Sequence, residues 1–235
     1  MKGFFFILTA ITLLACTAQA EEDVSIGILT QQGSLKVTKQ WTATGEYLTE
    51  AMGRPVNILP LSSKEILPSI QKGEVDFFIA DPSMFTTAKI LHGAEPVMTM
   101  KTAGHDSFGA VIFTTTKNKR IKELKDLEGK KFGAVQRLAF GGWQMAQKEF
   151  ADAGIDAYNF LSTLRFFETH PAVVKAVLHG KVHAGTVRTG ILETMAERGE
   201  LRMEDLTILN EKHYFNFPFV SSTSLYPEWV LAKTA

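Results

Sequence analysis

Arg137 and Arg188 are the residues of this chain whose settings offer chemistry, because each follows a short apolar run and precedes a helix start. In the stretch 131–145, KFGAVQRLAFGGWQM, Phe132 to Val135 reads as a buried strand, Arg137 stands in the following loop, and a helix opens at Gly141-Gly142. A helix start leaves backbone N–H groups without intrahelical acceptors, at the positive end of the helix dipole. A guanidinium beside it favours an oxoanion, since its planar fork can donate two parallel hydrogen bonds. Gly141-Gly142 has a second reading, in which the missing side chains simply let helix and strand approach closely. Arg188 follows the run Val182 to Val187 and precedes a helix beginning at Thr189. It could instead pair with Glu193, and its place after a strand tips the reading toward a ligand.

Two more loops have the same setting. Thr30 to Gly33 follows the run VSIGIL, and Asp81 to Phe85 follows VDFFIA. The hydroxyls, amides, guanidiniums and aromatic walls of these four loops define a candidate ligand-binding set: Thr30, Gln31, Ser83, Phe85, Arg137, Phe140, Gly141, Gly142, Thr186, Arg188 and Thr189. Asp81 precedes Pro82 and Ser83 and reads first as a helix cap rather than a ligand contact.

Catalytic patterns are missing. The chain holds no G-x-S-x-G elbow, no Walker loop and no G-x-G-x-x-G. His179 and His183 are separated by Gly180 and a predicted helix-to-strand change, and His170 and His213 read as surface residues. No metal constellation, cofactor motif or catalytic residue is predicted. Cys16 is the single cysteine and lies in the leader, so the remaining chain has no disulfide and no thiol nucleophile.

The elements that must position these loops follow from periodicity and breakers. Val24 to Leu29 is a strand, and a helix with Trp41, Tyr47, Leu48 and Met52 runs to Gly53. Val56 to Leu59 is a second strand; Ser62-Ser63 caps a helix ending at Gly73; Val75 to Ala80 is a third strand. Phe108 to Thr115 reads as a long strand leaving the first half, and a short helix Ile121 to Leu127 follows. After the helix from Gly142 to about Ala153 come a strand Phe160 to Phe167, a helix from Pro171 to Gly180, a strand Val182 to Val187, a helix from Thr189 and a strand Leu206 to Leu209. Phe217 to Ser222 is expected to return the chain to the first half.

An internal echo runs through this order. Ile70 to Asp76, then a strand, then Pro82 to Phe85, shares its grammar with Val177 to His183, then a strand, then Arg188 to Ile191. In both, a helix stops at glycine, one residue and a valine follow, and a polar turn after the strand opens the next helix. Strands alternating with helices imply mainly parallel sheets with helices on both faces, so the expected fold is α/β with two similar lobes. Open parallel sheets bind ligands at the carboxyl ends of their strands, which would bring the four loops to one cleft.

Composition agrees with an ordinary globular chain: 235 residues, 45% hydrophobic, 21% charged and a formal net charge of zero. Zero net charge argues against a nucleic-acid partner, and the basic run from Lys117 to Lys131 is interleaved with acids. Residues 1–20 read as a signal peptide, with Lys2, the apolar run Phe4 to Ala15, and the small-x-small site Ala18-Gln19-Ala20. Leu13-Leu14-Ala15-Cys16 offers a competing reading as a lipoprotein box that would leave a lipid on Cys16; soluble export is preferred, and either route takes the chain out of the cytoplasm.

The order of elements resembles the phosphonate-binding, PhnD-like family of periplasmic solute-binding proteins. Four segments resemble more narrowly the sensor region of tetrathionate-sensing histidine kinases: Ala139 to Met145, Ala184 to Thr189, Phe217-Pro218-Phe219 with Ser222-Thr223, and Leu225-Tyr226-Pro227-Glu228-Trp229. The resemblance implies a two-lobed periplasmic-binding-protein fold joined by crossover strands. Residues 23–110 would form the first part of lobe 1, 111–210 lobe 2, and 211–235 the return to lobe 1. It implies a periplasmic, non-enzymatic receptor, monomeric when soluble, for a small sulfur or phosphorus oxoanion such as tetrathionate, thiosulfate or a phosphonate; the opposing reading, an enzyme acting on such an anion, is weakened by the missing thiol and nucleophile motifs. Its membrane partner would be a sensor kinase or an ABC permease. Phe85 stands where the family leads one to expect a tyrosine, and Gln136-Arg137 replaces a more acidic pattern. The few residues after Trp229 point to a stand-alone binding protein or a shortened relative of the sensor, with lobe 1 short of a final helix.

Overall fold

The computed structural model describes residues 23–30 and 34–235. The proposed signal peptide, Cys16, Gln31 and Gly33 lie outside the described residues. The first half runs β1 (Val24–Leu29), α1 (Ser34–Met52), β2 (Val56–Leu61), α2 (Ile66–Gln71), β3 (Phe77–Ala80), α3 (Pro82–His92) and β4 (Glu95–Thr99). Two crossover strands follow, β5 (Ser107–Phe108) and β6 (Ala110–Thr115). The second half runs β7 (Lys131–Ala134), α4 (Met145–Asp152), α5 (Ala157–Phe160), β8 (Thr163–Phe166), α6 (His170–Leu178), β9 (Ala184–Arg188), α7 (Ile191–Glu197) and β10 (Leu206–Leu209). The chain returns through β11 (Tyr226–Pro227) and β12 (Val230–Lys233).

The echo in the sequence is an echo in topology. The first five-stranded sheet has the order β2-β1-β3-β12-β4, and the second, read from its far edge, β8-β7-β9-β6-β10. In each, the first three strands of the half pair in parallel and one antiparallel strand separates the third from the fourth. That inserted strand comes from beyond the half it completes: β6 leaves the first half to enter the second sheet, and β12 leaves the second to enter the first. The joining segments pair with each other as well, Tyr226 opposite Phe108 and Pro227 opposite Ser107.

Helices cover both faces of each sheet. On the second sheet, Val173, Val174 and Val177 of α6 and Leu192 and Met195 of α7 pack on the face that carries Val111 and Phe113. Ala146 and Phe150 of α4 pack with Ile112 and Phe132 on the other. Strand β6 alternates between these two cores and is buried along its whole length, as a strand covered on both sides must be. The first sheet repeats the plan, with α2 and α3 on one face and α1 on the other.

Several elements depart from the sequence reading. The long strand Phe108 to Thr115 is broken at Gly109, where a Cβ would lie 2.6 Å from the Ser221 hydroxyl; the return segment crosses too closely for any side chain. Phe160 to Phe167 divides into the end of α5 and β8. Phe217 to Ser222 forms no strand, and the return is made later by β11 and β12. No side chain of Ser62-Ser63 caps α2; instead the Glu65 carboxylate accepts from the Ser62 N–H at 2.8 Å. The helix expected from Gly142 opens with a π-helical turn over Phe140–Gln144 before α4 begins.

Candidate functional site

Arg188 is the last residue of β9, at the carboxyl end of the second sheet, and its backbone and side chain are tied to three different segments. Its N–H donates to Nδ1 of His170 at 3.3 Å, which leaves the ring proton on Nε2. His170 begins α6 and is buried rather than at the surface as expected, because the first turn of α6 tucks beneath the end of β9. Burial, and then the charge of Arg188, lower its pKa to about 4, so the imidazole is neutral. Next to it, Thr189 exchanges hydrogen bonds with Gly109: its N–H donates to the Gly109 carbonyl at 3.0 Å, and its hydroxyl accepts from the Gly109 N–H at 3.1 Å.

The Arg188 guanidinium stacks over Phe108, 4.0 Å from the ring centroid. Its edge meets Glu228, both terminal nitrogens donating to the carboxylate. Glu228 has only 1% of its side chain exposed and Arg188 19%. The carboxylate is held in place by backbone: the Glu228 N–H donates to the Asp106 carbonyl at 2.7 Å, and the Trp229 N–H donates to Glu228 Oε2 at 3.3 Å. Glu193, the partner weighed for Arg188 from the sequence, accepts from the Val220 N–H instead.

The Arg188–Glu228 pair borders two cavities. The larger, about 300 Å³, has apolar walls from Ile28 and Leu29 of β1 and Ile79 of β3, with Gln40 and Trp41 of α1 and Trp229 closing its sides. Among the described residues, Arg188 is the one contribution from the second half to its lining, and Arg188 and Glu228 are its only charged side chains. The smaller, about 180 Å³, lies among Phe108, Thr189, Gly190, His105, Phe217 and Phe219. A third cavity of about 660 Å³ opens between α3 and the second half, lined by Ser83, Phe85, Phe140 and Tyr226. Phe108, Phe140 and Tyr226 form a chain of edge-to-face rings with centroids 6.0 and 5.1 Å apart, linking this opening to the ring beneath Arg188.

The candidate residues named from sequence are therefore spread over several environments. Arg188 and Thr189 border the smaller cavity, and Ser83, Phe85 and Phe140 line the third. Thr30 is half-buried beside Leu29, its N–H donating to the Leu61 carbonyl at 2.7 Å. Thr186 is fully buried within β9, and its hydroxyl has no hydrogen-bond partner. Gly141 and Gly142 serve close packing: a Cβ would stand 2.9 Å from Phe108 at the first and 2.7 Å from Val135 at the second. Arg137 is exposed, its guanidinium lying over Tyr158 and Phe166 at 5.2 and 5.8 Å and donating to the Tyr158 hydroxyl at 3.2 Å. Two aromatic faces hold it at the β8 edge of the second sheet, and it borders none of the three cavities.

Asp81 is a cap, as read: one carboxylate oxygen accepts from the Ser83 and Met84 N–H groups, both at 3.0 Å. Burial raises its pKa to about 6 despite those two bonds. Sequence reasoning missed Glu228, Trp229 and Gln40 as cavity residues and gave Trp41 to the core of α1. The one available signal was an acid between Pro227 and Trp229 in an otherwise apolar return. Among the described residues, no group of three or more His, Cys, Asp or Glu could hold a metal ion, and no helix is long and apolar enough to cross a membrane.

Comparison with known proteins places this geometry in context. The model of a family described as the periplasmic substrate-binding protein of phosphonate ABC transporters matches residues 26–232. The chain is 28% identical to the tetrathionate sensor histidine kinase TtrS of Salmonella typhimurium, an alignment covering 96% of this chain and 39% of that protein. This chain thus spans well under half of that relative's length. Among solved structures it is similar in fold to XAC2383 from Xanthomonas citri bound to ATP (TM-score 0.73, 15% identity, covering 91% of this chain and 77% of that one). It is also similar to PhnD1 from Prochlorococcus marinus in complex with methylphosphonate (TM-score 0.68, 15% identity, 90% and 76%).

Proposed function

This chain belongs to the phosphonate-type family of periplasmic substrate-binding proteins, and from that premise we propose that it captures a small sulfur or phosphorus oxoanion beside Arg188 and presents the bound form to a membrane partner. The observation that carries this reading is the position of Arg188. Among the described residues it is the only cation lining a cavity of about 300 Å³ whose other walls come from the first half and the return segment. A ligand there would touch both halves, so binding would favour the arrangement in which they close on it.

In this reading residues 23–110 and 111–210 act as two lobes hinged where β5 pairs with β11, and residues 211–235 return to the first. Residues 1–20 direct export, and the receptor works in the periplasm as a monomer. The ligand-contacting residues are Arg188 and Thr189, with Thr30, Ser83, Phe85 and Phe140 at the neighbouring openings. Likeness to a tetrathionate sensor favours a signalling role and an oxidised sulfur anion. The family description favours the second reading, a binding component for an ABC permease and a phosphonate. Both are binding roles without turnover.

A thermal-shift screen against tetrathionate, thiosulfate, sulfite, phosphate and methylphosphonate tests the proposal. A true ligand at about a hundred times its dissociation constant adds ~2.7 kcal/mol of stability. No response to any of these anions would overturn the receptor reading.

A further inference from the structure

The cavity that offers a guanidinium also holds the carboxylate that neutralises it. Both terminal nitrogens of Arg188 already donate to Glu228, and stacking on Phe108 fixes the plane of the guanidinium. Glu228 is fully enclosed and stands on the segment that joins the two halves, with its own N–H bound to Asp106 opposite. Resting on the receptor reading above, we propose that Glu228 is the specificity-determining residue of the cleft, an internal counter-ion whose carboxylate an entering anion must replace on Arg188.

The physical basis is competition for one set of donors. A guanidinium edge that is bidentate to a carboxylate offers little to a monodentate anion, whereas an oxoanion with two coplanar oxygens can take over both bonds. The displaced carboxylate sits in a site with 1% exposure, so its loss of the cation is costly and is charged against every ligand. Glu228 thereby sets a threshold that weak anions such as chloride do not pass. Removing its charge should tighten binding of all anions and narrow the difference between them.

Calorimetric titration of the wild type and of Glu228→Gln with thiosulfate, methylphosphonate and chloride is the test. The expected result is at least about tenfold tighter binding of the oxoanion probes by the variant, with chloride gaining at least as much, and a lower melting temperature of the ligand-free variant that the probes restore. Wild type that binds a probe while Glu228→Gln binds it equally or more weakly overturns the role of Glu228 and leaves the receptor reading standing. Absence of binding by both overturns both. Glu228→Asp, which keeps the charge but shortens the reach, should show a smaller gain and serves if the glutamine variant does not fold. In the wild type itself, saturation with the probe should speed hydrogen exchange at the Trp229 amide, which loses its Glu228 acceptor; unchanged or slower exchange there counts against displacement.

Discussion

The guanidinium carbon of Arg188 stands 4.0 Å from the centre of the Phe108 ring, in the crossover between the two sheets, while that of Arg137 stands 5.2 Å from the centre of the Tyr158 ring at the sheet's edge. The same kind of contact thus holds two arginines in unlike settings, one between cavities and one toward solvent. Under the proposed function, this difference, rather than residue type, assigns the ligand to Arg188.

Arg188→Ala should abolish the stabilisation that any binding anion gives the wild type, and Arg137→Ala should leave it intact to within about twofold in dissociation constant, as expected for a screened surface cation. Isothermal titration of both variants with the best anion from the screen makes the comparison. Loss of binding in Arg137→Ala, or its survival in Arg188→Ala, would exchange their roles.

Asp81 and His170 should make opposite contributions to the pH dependence of stability in nearly the same interval. The folded-state pKa of Asp81 is raised to about 6, so its contribution is full below the ordinary aspartate range and is lost as pH rises through about 6. That of His170 is lowered to about 4, so its contribution is full above the ordinary histidine range and is lost as pH falls toward about 4. Wild type should therefore show a shallow profile between pH 4 and 6.5 from these two groups. Asp81→Asn should steepen the loss on acidification, and His170→Gln should make stability fall as pH rises. Urea denaturation across that interval reads both slopes, and parallel profiles for the two variants would contradict the assignment.

Thr186→Val should leave stability unchanged or raise it by up to about 1 kcal/mol, because the Thr186 hydroxyl is enclosed in the second sheet without a partner. Anion affinity should not change. A variant that folds normally but binds more weakly would return Thr186 to the ligand site.

Much of the architecture was legible because it is written in breakers and period. Glycines after helices and apolar runs after glycines mark both halves, and their repetition corresponds to two sheets with one strand order. Strand β4 was not legible: Glu95 to Thr99 is exposed at every position on a sheet edge, so it carries no alternation to read. Nor was the difference in setting between the two arginines. Arg137 is claimed by Tyr158 of α5 and Phe166 of β8, and a loop's own sequence does not say which distant rings will reach it. His170 was misjudged for a related reason, since a residue before proline at a helix start can be surface or core depending on what strand ends above it. Glu228 was hidden by sparseness: a single acid in an apolar run has no periodic signature, and its meaning appears only when Arg188 arrives from forty residues upstream.

The reciprocal insertion of β6 and β12 reverses the order of completion relative to synthesis. The half that leaves the ribosome first stays unfinished longest, for β4 has no partner joining it to β3 until Val230–Lys233 has been made, whereas the later half is closed as soon as β10 emerges. A nascent chain made only as far as Trp229 would hold one mature sheet and one with an open seam, and so would any product clipped just after that residue.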